Sequence, residues 1–340
     1  MRNPTMPGFR ELVTASGLDA VTKQLGEALV LDALREVHGL SGRLQRIPSE
    51  KDETFVLHAA GTRHLVKVSG ENEDLTLQTA VLHHLAHTAP ELPIPVIRSG
   101  VDGAELHEIA PGPRLLRVLS YLPGEPLTGR AADPTPFGRC HAQLTRALAG
   151  FRGVDQDRAL IWDLRHLGAL DPLLDTVDGP DLVLAHEALE EFARRVRPND
   201  LDTQLVHNDL SPHNILVDAR GALTGILDFG DVLRTAVVFD LAIALSNLLD
   251  VDAADPWAAP LAWLRGYLEI RPVADGELAL LPLLATARLV QRALIASWRA
   301  RRDPARAAYV LSHASRDWAT ARAAYAGREA ATERVLAVRR

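Results

Sequence analysis

The sequence predicts an α+β protein of two lobes, a small β-rich lobe followed by a larger, mainly helical one. Three observations predict it. Short apolar runs separated by turn residues fill residues 42–122. Apolar residues at helical spacing dominate after about residue 133. A 47% apolar content over 340 residues is enough for about two cores, which divides the chain into residues 1–122, with a leading helix, and residues 123–340.

The elements follow in order. Residues 1–8 read as frayed, and residues 9–38 as helical, with Leu25, Leu29, Leu34 and Val37 on one stripe and Gly39 as the stop. Strands are predicted at residues 42–47, 55–57 and 63–68, the last two joined by a turn through Ala60 and Gly61. Residues 74–87 form a helix that ends before Pro93. Residues 96–97, 104–109 and 115–122 complete the sheet. Helices are expected at residues 137–151, 181–197, 240–249, 256–268, 277–302 and 305–326, and short β pieces at 205–206, 215–217 and 223–227.

Composition narrows the function. A net charge of −7 argues against a nucleic-acid binder held by phosphate contacts. Cys140 is the single cysteine, so neither an internal disulfide nor a cysteine zinc site is expected, and a reducing, cytoplasmic setting fits. No apolar signal core opens the sequence, and the best apolar run, residues 235–249, is interrupted by Asp240, so no membrane span is expected. Lysine occurs only at Lys23, Lys51 and Lys67, and the other 34 basic residues are arginine. Nothing in the pattern sets an oligomeric state.

The chemistry concentrates in His207-Asn208-Asp209-Leu210-Ser211-Pro212-His213-Asn214 and Ile226-Leu227-Asp228-Phe229-Gly230-Asp231. The spacing is H-x-D-x-x-x-x-N followed by D-F-G. Kinase-type phosphoryl transfer needs a carboxylate for the accepting hydroxyl, a carboxylate for the metal and an amide oxygen to complete its shell. Asp209 is the candidate base, and Asn214 and Asp228 are the candidate Mg²⁺ ligands. His207 suits hydrogen bonding to its own loop better than chemistry. Asp240 either holds the catalytic loop or caps the helix after it.

The nucleotide phosphates need a cation, and only Lys67 has the right strand context. A helix carboxylate ordinarily orients such a lysine, but Gln78 stands where it is expected. Gln78, Glu73 and Asp74 remain alternatives. The loop over the phosphates is residues 49–54, where Ser49 and Thr54 offer hydroxyls. Adenine is expected at Ser120, Tyr121 and Leu122. No Walker loop exists.

These residues resemble the aminoglycoside phosphotransferase and choline kinase-like superfamily, and within it the hydroxylysine kinase branch. Val206-His207-Asn208-Asp209, Gly225-Ile226-Leu227-Asp228-Phe229-Gly230-Asp231 and Val238-Phe239-Asp240-Leu241-Ala242 carry the resemblance. It implies a protein-kinase-like fold, ATP and Mg²⁺ as cofactors, and phosphorylation of a small hydroxyl acceptor bearing an amine. Aminoglycoside, macrolide, homoserine and choline or ethanolamine acceptors are rivals, and a nucleotide-binding pseudokinase is the non-enzyme alternative. Ser211 and the short gap between Asp231 and Phe239 separate the chain from protein kinases. Candidate acceptor contacts are Trp162, Asp163 and Asp231. Arg292, Trp298 and Arg299 are weaker candidates for an acceptor carboxylate.

Overall fold

A computed structural model describes residues 7–19, 24–49, 52–70, 75–110, 112–128, 133–303 and 307–338, with backbone alone over 307–313. Residues 1–6 of the expected frayed start lie outside the described residues, as do Lys23, Lys51, Glu73 and Asp74. The chain divides into two compact units. One comprises Gly17–Glu125 and Leu216–Gly230, and the other is built from α1 (Phe9–Ala15), Pro126–Ile215 and Asp231–Arg340.

In the first of these, α2 (Glu27–His38) precedes β1 (Arg43–Ile47), β2 (Glu53–Ala59), β3 (Thr62–Gly70), α3 (Leu75–Thr88), β4 (Ile97–Arg98), β5 (His107–Ile109) and β6 (Arg114–Ser120). The sheet order is β1-β2-β3-β6-β4, with β5 also paired to β6, and every pairing is antiparallel. The single helix expected over residues 9–38 forms as two. Gly17 takes φ 67°, a left-handed conformation that breaks the helix after α1. Gly39, at φ 63°, closes α2 as its C-cap.

Strand alternation then decides which residues meet α2. Phe55, Leu57, Val66, Val68, Leu116 and Val118 pack with Val30 and Leu34 of α2 into one buried core. Their neighbours in sequence, Thr54, Lys67 and Arg117, stand opposite one another across β2, β3 and β6. Because side chains alternate along a strand, those three share the face away from α2.

The other unit holds α4 (Thr135–Ala149), a 3-10 run at Leu164–Thr176, α5 (Gly179–Arg195), β8 (Thr203–Val206), β11 (Leu233–Ala236), α6 (Val237–Ser246), α7 (Ala258–Ile270), α8 (Asp275–Leu278), α9 (Leu281–Arg302), α10 (Ala307–Ala326) and α11 (Arg328–Ala337). The short strands β7 (Glu125–Pro126), β9 (Ile215–Val217) and β10 (Leu223–Ile226) form a sheet in the order β10-β9-β7. The expected helix at 277–302 divides because Pro282 lacks a backbone N–H and suits only the first turn of α9. The 3-10 run and α11 have no counterpart in the sequence reading. Pro172 inside that run prevents a regular α-helix there.

Gly138 on α4 and Gly266 on α7 let these helices approach closely, since a Cβ at Gly138 would meet the Trp263 carbonyl and one at Gly266 the Thr135 carbonyl. That approach sets His141 of α4 against the rings of Trp263 and Tyr267. Strand β8 pairs antiparallel with β11, Val206 opposite Leu233, and so fixes where the chain leaves β8 at His207.

Candidate active site

The loop after β8 is held from beneath by Asp240 on α6. Asn208 takes φ 63° and donates its N–H to Asp240 Oδ1 at 2.6 Å. The other oxygen, Oδ2, lies 2.7 Å from His141 Nε2. Trp263 Nε1 donates to His141 Nδ1 at 3.2 Å, and an indole nitrogen can only donate. His141 therefore accepts at Nδ1 and carries its proton on Nε2, toward Asp240. Asp240 is 2% exposed. Burial opposes its ionisation, but the His141 ring, His207 and the Asn208 N–H outweigh it and hold the carboxyl below the usual carboxylate range.

His207 is fully buried, and its Nδ1 accepts from the Asp209 N–H at 3.3 Å. Asn214, ending a 3-10 turn at Pro212–Asn214, donates Nδ2 to the Asp209 carbonyl and to Asp209 Oδ2, both at 2.8 Å. One side-chain amide nitrogen thus fixes the backbone and carboxylate of Asp209. The Asn214 amide oxygen points away from these bonds and is available to a hard cation. Asp209 itself is 34% exposed on its side chain.

The sheet unit carries the second group of residues. Lys67 Nζ lies 3.3 Å from Asp52 Oδ2 and 3.8 Å from Asp228 Oδ1. Asp52 also accepts from Ser69 Oγ at 2.7 Å and lies 3.5 Å from Arg117 Nη2. Asp228 takes φ 59°, an uncommon conformation for a residue with a Cβ, and its side chain is 53% exposed. Residues held in such conformations cluster at functional sites. Among the described residues no cluster of three or more His, Cys, Asp or Glu forms a metal cage. A small hard cation held through one or two side-chain oxygens and the substrate's phosphates does not require one.

Residues 43–281 match the phosphotransferase enzyme family (APH). The chain belongs to that family. It is a phosphotransferase acting on a hydroxyl group of a small molecule. It is 26% identical to the hydroxylysine kinase of Mus musculus over 344 aligned residues, covering 89% of each chain. It is 29% identical to the homoserine kinase of Brucella anthropi over 246 aligned residues, 69% of this chain and 72% of that one. Among solved structures, a microcompartment-associated aminopropanol kinase is similar in fold, with TM-score 0.70, 18% identity, and 89% of this chain and 98% of that chain covered. The amicoumacin kinase hAmiN, solved with AMP-PNP, Ca²⁺ and Ami, gives TM-score 0.66 at 16% identity over 86% of this chain and 93% of that one.

Several residues of this phosphotransferase escaped the sequence reading. Asp52 supplies the carboxylate beside Lys67, whereas Gln78 is buried within α3. Only a three-dimensional neighbourhood could reveal this, because Asp52 lies outside β2 and has no periodic signature. His141 sits on the buried face of α4 and reads in sequence as one more core position. Arg117 is legible only through the β3–β6 register, which sets it opposite Lys67.

The remaining candidates are spread more widely. Ser49 is exposed, while Thr54 is buried opposite Lys67 with its hydroxyl unpartnered among the described residues. Ser120 uses its N–H and Oγ on the Val96 backbone, and the Arg63 guanidinium lies 4.0 Å from the Tyr121 ring centroid. Asp163 is fully buried; it accepts from Arg165 N and Nε and from Thr235 Oγ1, and so ties the 3-10 run to β11. Arg292 is engaged by Asn247 and Asp317, and Trp298 packs edge-on against Phe9. No helix among the described residues is long and apolar enough to cross a membrane.

Proposed function

We propose that the chain transfers the γ-phosphate of ATP to the hydroxyl of an amino alcohol or hydroxy amino acid, with a hydroxylysine-type acceptor favoured. The observation that supports this reading best is the pair Asp209–Asn214. A carboxylate fixed at one oxygen by an amide is oriented to accept a hydroxyl proton late in transfer. The acceptor oxygen bonds to the γ-phosphorus, the bond to the β,γ-bridging oxygen breaks, ADP departs, and the proton passes to Asp209. Asn214 Oδ1 and the Asp228 carboxylate are the proposed metal ligands, and Mg²⁺ would supply charge neutralisation on the phosphates. Lys67 holds phosphate oxygens, with Thr54 and Ser49 as further contacts and Gln78 in a supporting role. Adenine is assigned to the backbone at Tyr121 and Leu122, since Ser120 is engaged with Val96.

In this reading the sheet unit binds nucleotide and the helical unit binds acceptor, with His207 and Asp240 maintaining the catalytic loop. Dependence on ATP and a single buried cysteine suit a cytoplasmic setting. The similarity to hydroxylysine and homoserine kinases supports an amine-bearing, small acceptor. Coupled ADP release measured over hydroxylysine, homoserine, choline, ethanolamine, aminoglycosides and macrolides tests it. The reading expects turnover with one of the first two, and turnover confined to antibiotics would overturn it.

A further inference from the structure

Arg288 lies on α9 and is 4% exposed. Its Nη1 donates to the Trp162 carbonyl at 2.7 Å and to Gln291 Oε1 at 2.8 Å. Gln291 in turn donates to the Ile161 carbonyl at 2.9 Å. The guanidinium carbon stands 5.4 Å from the Trp162 ring centroid. One edge of the guanidinium is therefore committed to the segment at residues 161–162.

The opposite edge makes no hydrogen bond among the described residues. Nε is buried without a hydrogen-bond partner among the described residues. Nη2 lies 3.9 Å from Asp209 Oδ1, beyond hydrogen-bond distance. Nε and Nη2 form the side of a guanidinium that matches two carboxylate oxygens. Burial lowers the Arg288 pKa, and Asp209, Asp231 and Asp317 act against that shift by favouring its charge. A buried cation with an unfilled fork is costly unless an anion completes it. Asp209 does not fill the fork, because its Oδ2 is held by Asn214 and its Oδ1 stays at the longer distance. Arg292, one turn further along α9, donates Nη1 to Asn247 and Nη2 to Asp317.

We infer that Arg288 binds a carboxylate on the acceptor, so that the acceptor is a hydroxy acid, hydroxy amino acids included, and not a polycationic or uncharged alcohol. The inference rests on the proposed role of Asp209 in receiving the acceptor hydroxyl. The carboxylate sits on the Nε–Nη2 edge while the hydroxyl meets Asp209. A polyamine acceptor would instead place positive charge against a buried guanidinium.

Acceptors in matched pairs test this: homoserine against 3-aminopropan-1-ol, hydroxylysine against its decarboxylated amine, and serine against ethanolamine. Wild-type kcat/KM should favour the acid of a pair by about 100-fold, the size expected for a charge-assisted contact. Arg288→Gln should reduce that ratio to about 5-fold or less, mainly through KM for the acid, with KM for ATP unchanged. Equal turnover of acid and amine by the wild type would overturn the inference. So would an Arg288→Gln variant that loses both members of a pair equally, since that is the signature of a residue that only positions Asp209. If Arg288→Gln fails to fold, Arg288→Lys keeps the charge without the fork and should show the same loss of discrimination. If no alcohol is phosphorylated, the proposed function fails by itself. Thermal shift of the wild type with lysine and 2-aminobutyrate, against cadaverine and propylamine, still decides the inference: stabilisation by the acids alone supports it, and stabilisation by the amines alone or by neither overturns it.

Discussion

Lys67 takes its carboxylate partner from Asp52, 3.3 Å away in the approach to β2, while α3 offers the neutral Gln78. Lys67 and Arg117 are register partners on adjacent antiparallel strands. Like charges in that arrangement repel. Asp52 lies within 3.5 Å of both cations and offsets the repulsion, while Ser69 fixes its other oxygen. Asp52→Asn should lower kcat/KM for ATP by about 10–100-fold and leave KM for the acceptor unchanged, with Asp52→Glu recovering part of the loss. Initial rates over an ATP titration check it, and an unaltered ATP dependence in Asp52→Asn would remove Asp52 from this role.

Asp209→Asn should reduce kcat by about 10²–10⁴-fold, the usual contribution of a general base, with nucleotide affinity retained. Isothermal titration with a non-hydrolysable ATP analogue and a coupled turnover assay separate these two effects. Wild-type-like turnover would end the assignment of Asp209.

Asn214→Ala removes both the hold on Asp209 and one proposed metal oxygen. The apparent affinity for Mg²⁺ in turnover should weaken by about 10-fold or more. Chelation with EDTA should abolish turnover in the wild type, and added Mg²⁺ should restore it. Full activity in EDTA would contradict the proposed metal dependence.

Asp240 anchors the loop that carries Asp209 from a fully enclosed position. Asp240→Ala leaves the Asn208 N–H and the His141 Nε2–H without their acceptor, and such unpaired buried donors cost about 1–3 kcal/mol each. Chemical denaturation should show the loss, and kcat should fall with it because the Asp209 loop is released. His141→Phe tests the same relay from α4, and a double-mutant cycle with Asp240→Ala should show non-additive coupling.

Acid should destabilise the fold in two stages. Burial, and then repulsion from His107, hold the His38 pKa below its ordinary value, and burial does the same for His166. The unfolded chain takes up these protons near pH 6.5, and the folded protein takes them up only at lower pH. Their stabilising contribution is present above about pH 6.5 and is lost as pH falls through that window. Asp240 has a depressed folded pKa, so its contribution is present above the unfolded value near pH 3.9 and is lost as pH falls through the folded pKa. Urea midpoints should therefore drop between pH 7.5 and pH 5.5, and again below about pH 4. His38→Phe should flatten the first step, and an unchanged slope in that variant would exclude His38 as its source.

Motif spacing carried the phosphotransferase class, and hydrophobic periodicity carried most of the elements in their order, though not the split helices or α11. H-x-D-x-x-x-x-N and D-F-G are local patterns, so Asp209, Asn214 and Asp228 stand out as candidates without a fold. The strand at Lys67 was legible for the same reason, because a short apolar run bounded by turn residues is a property of neighbouring residues. The leading helix was legible in outline, and its break at Gly17 is explained by a backbone conformation that spacing alone does not reveal. Tertiary structure decided everything that depends on residues far apart in the chain. Asp52 reaches Lys67 across β2 and β3, His141 reaches Asp240 over 99 residues, and Arg288 reaches Asp209 from a helix whose arginines look alike in sequence. Electrostatic partnership falls off over a few ångströms of space, and spacing along the chain carries no record of that distance.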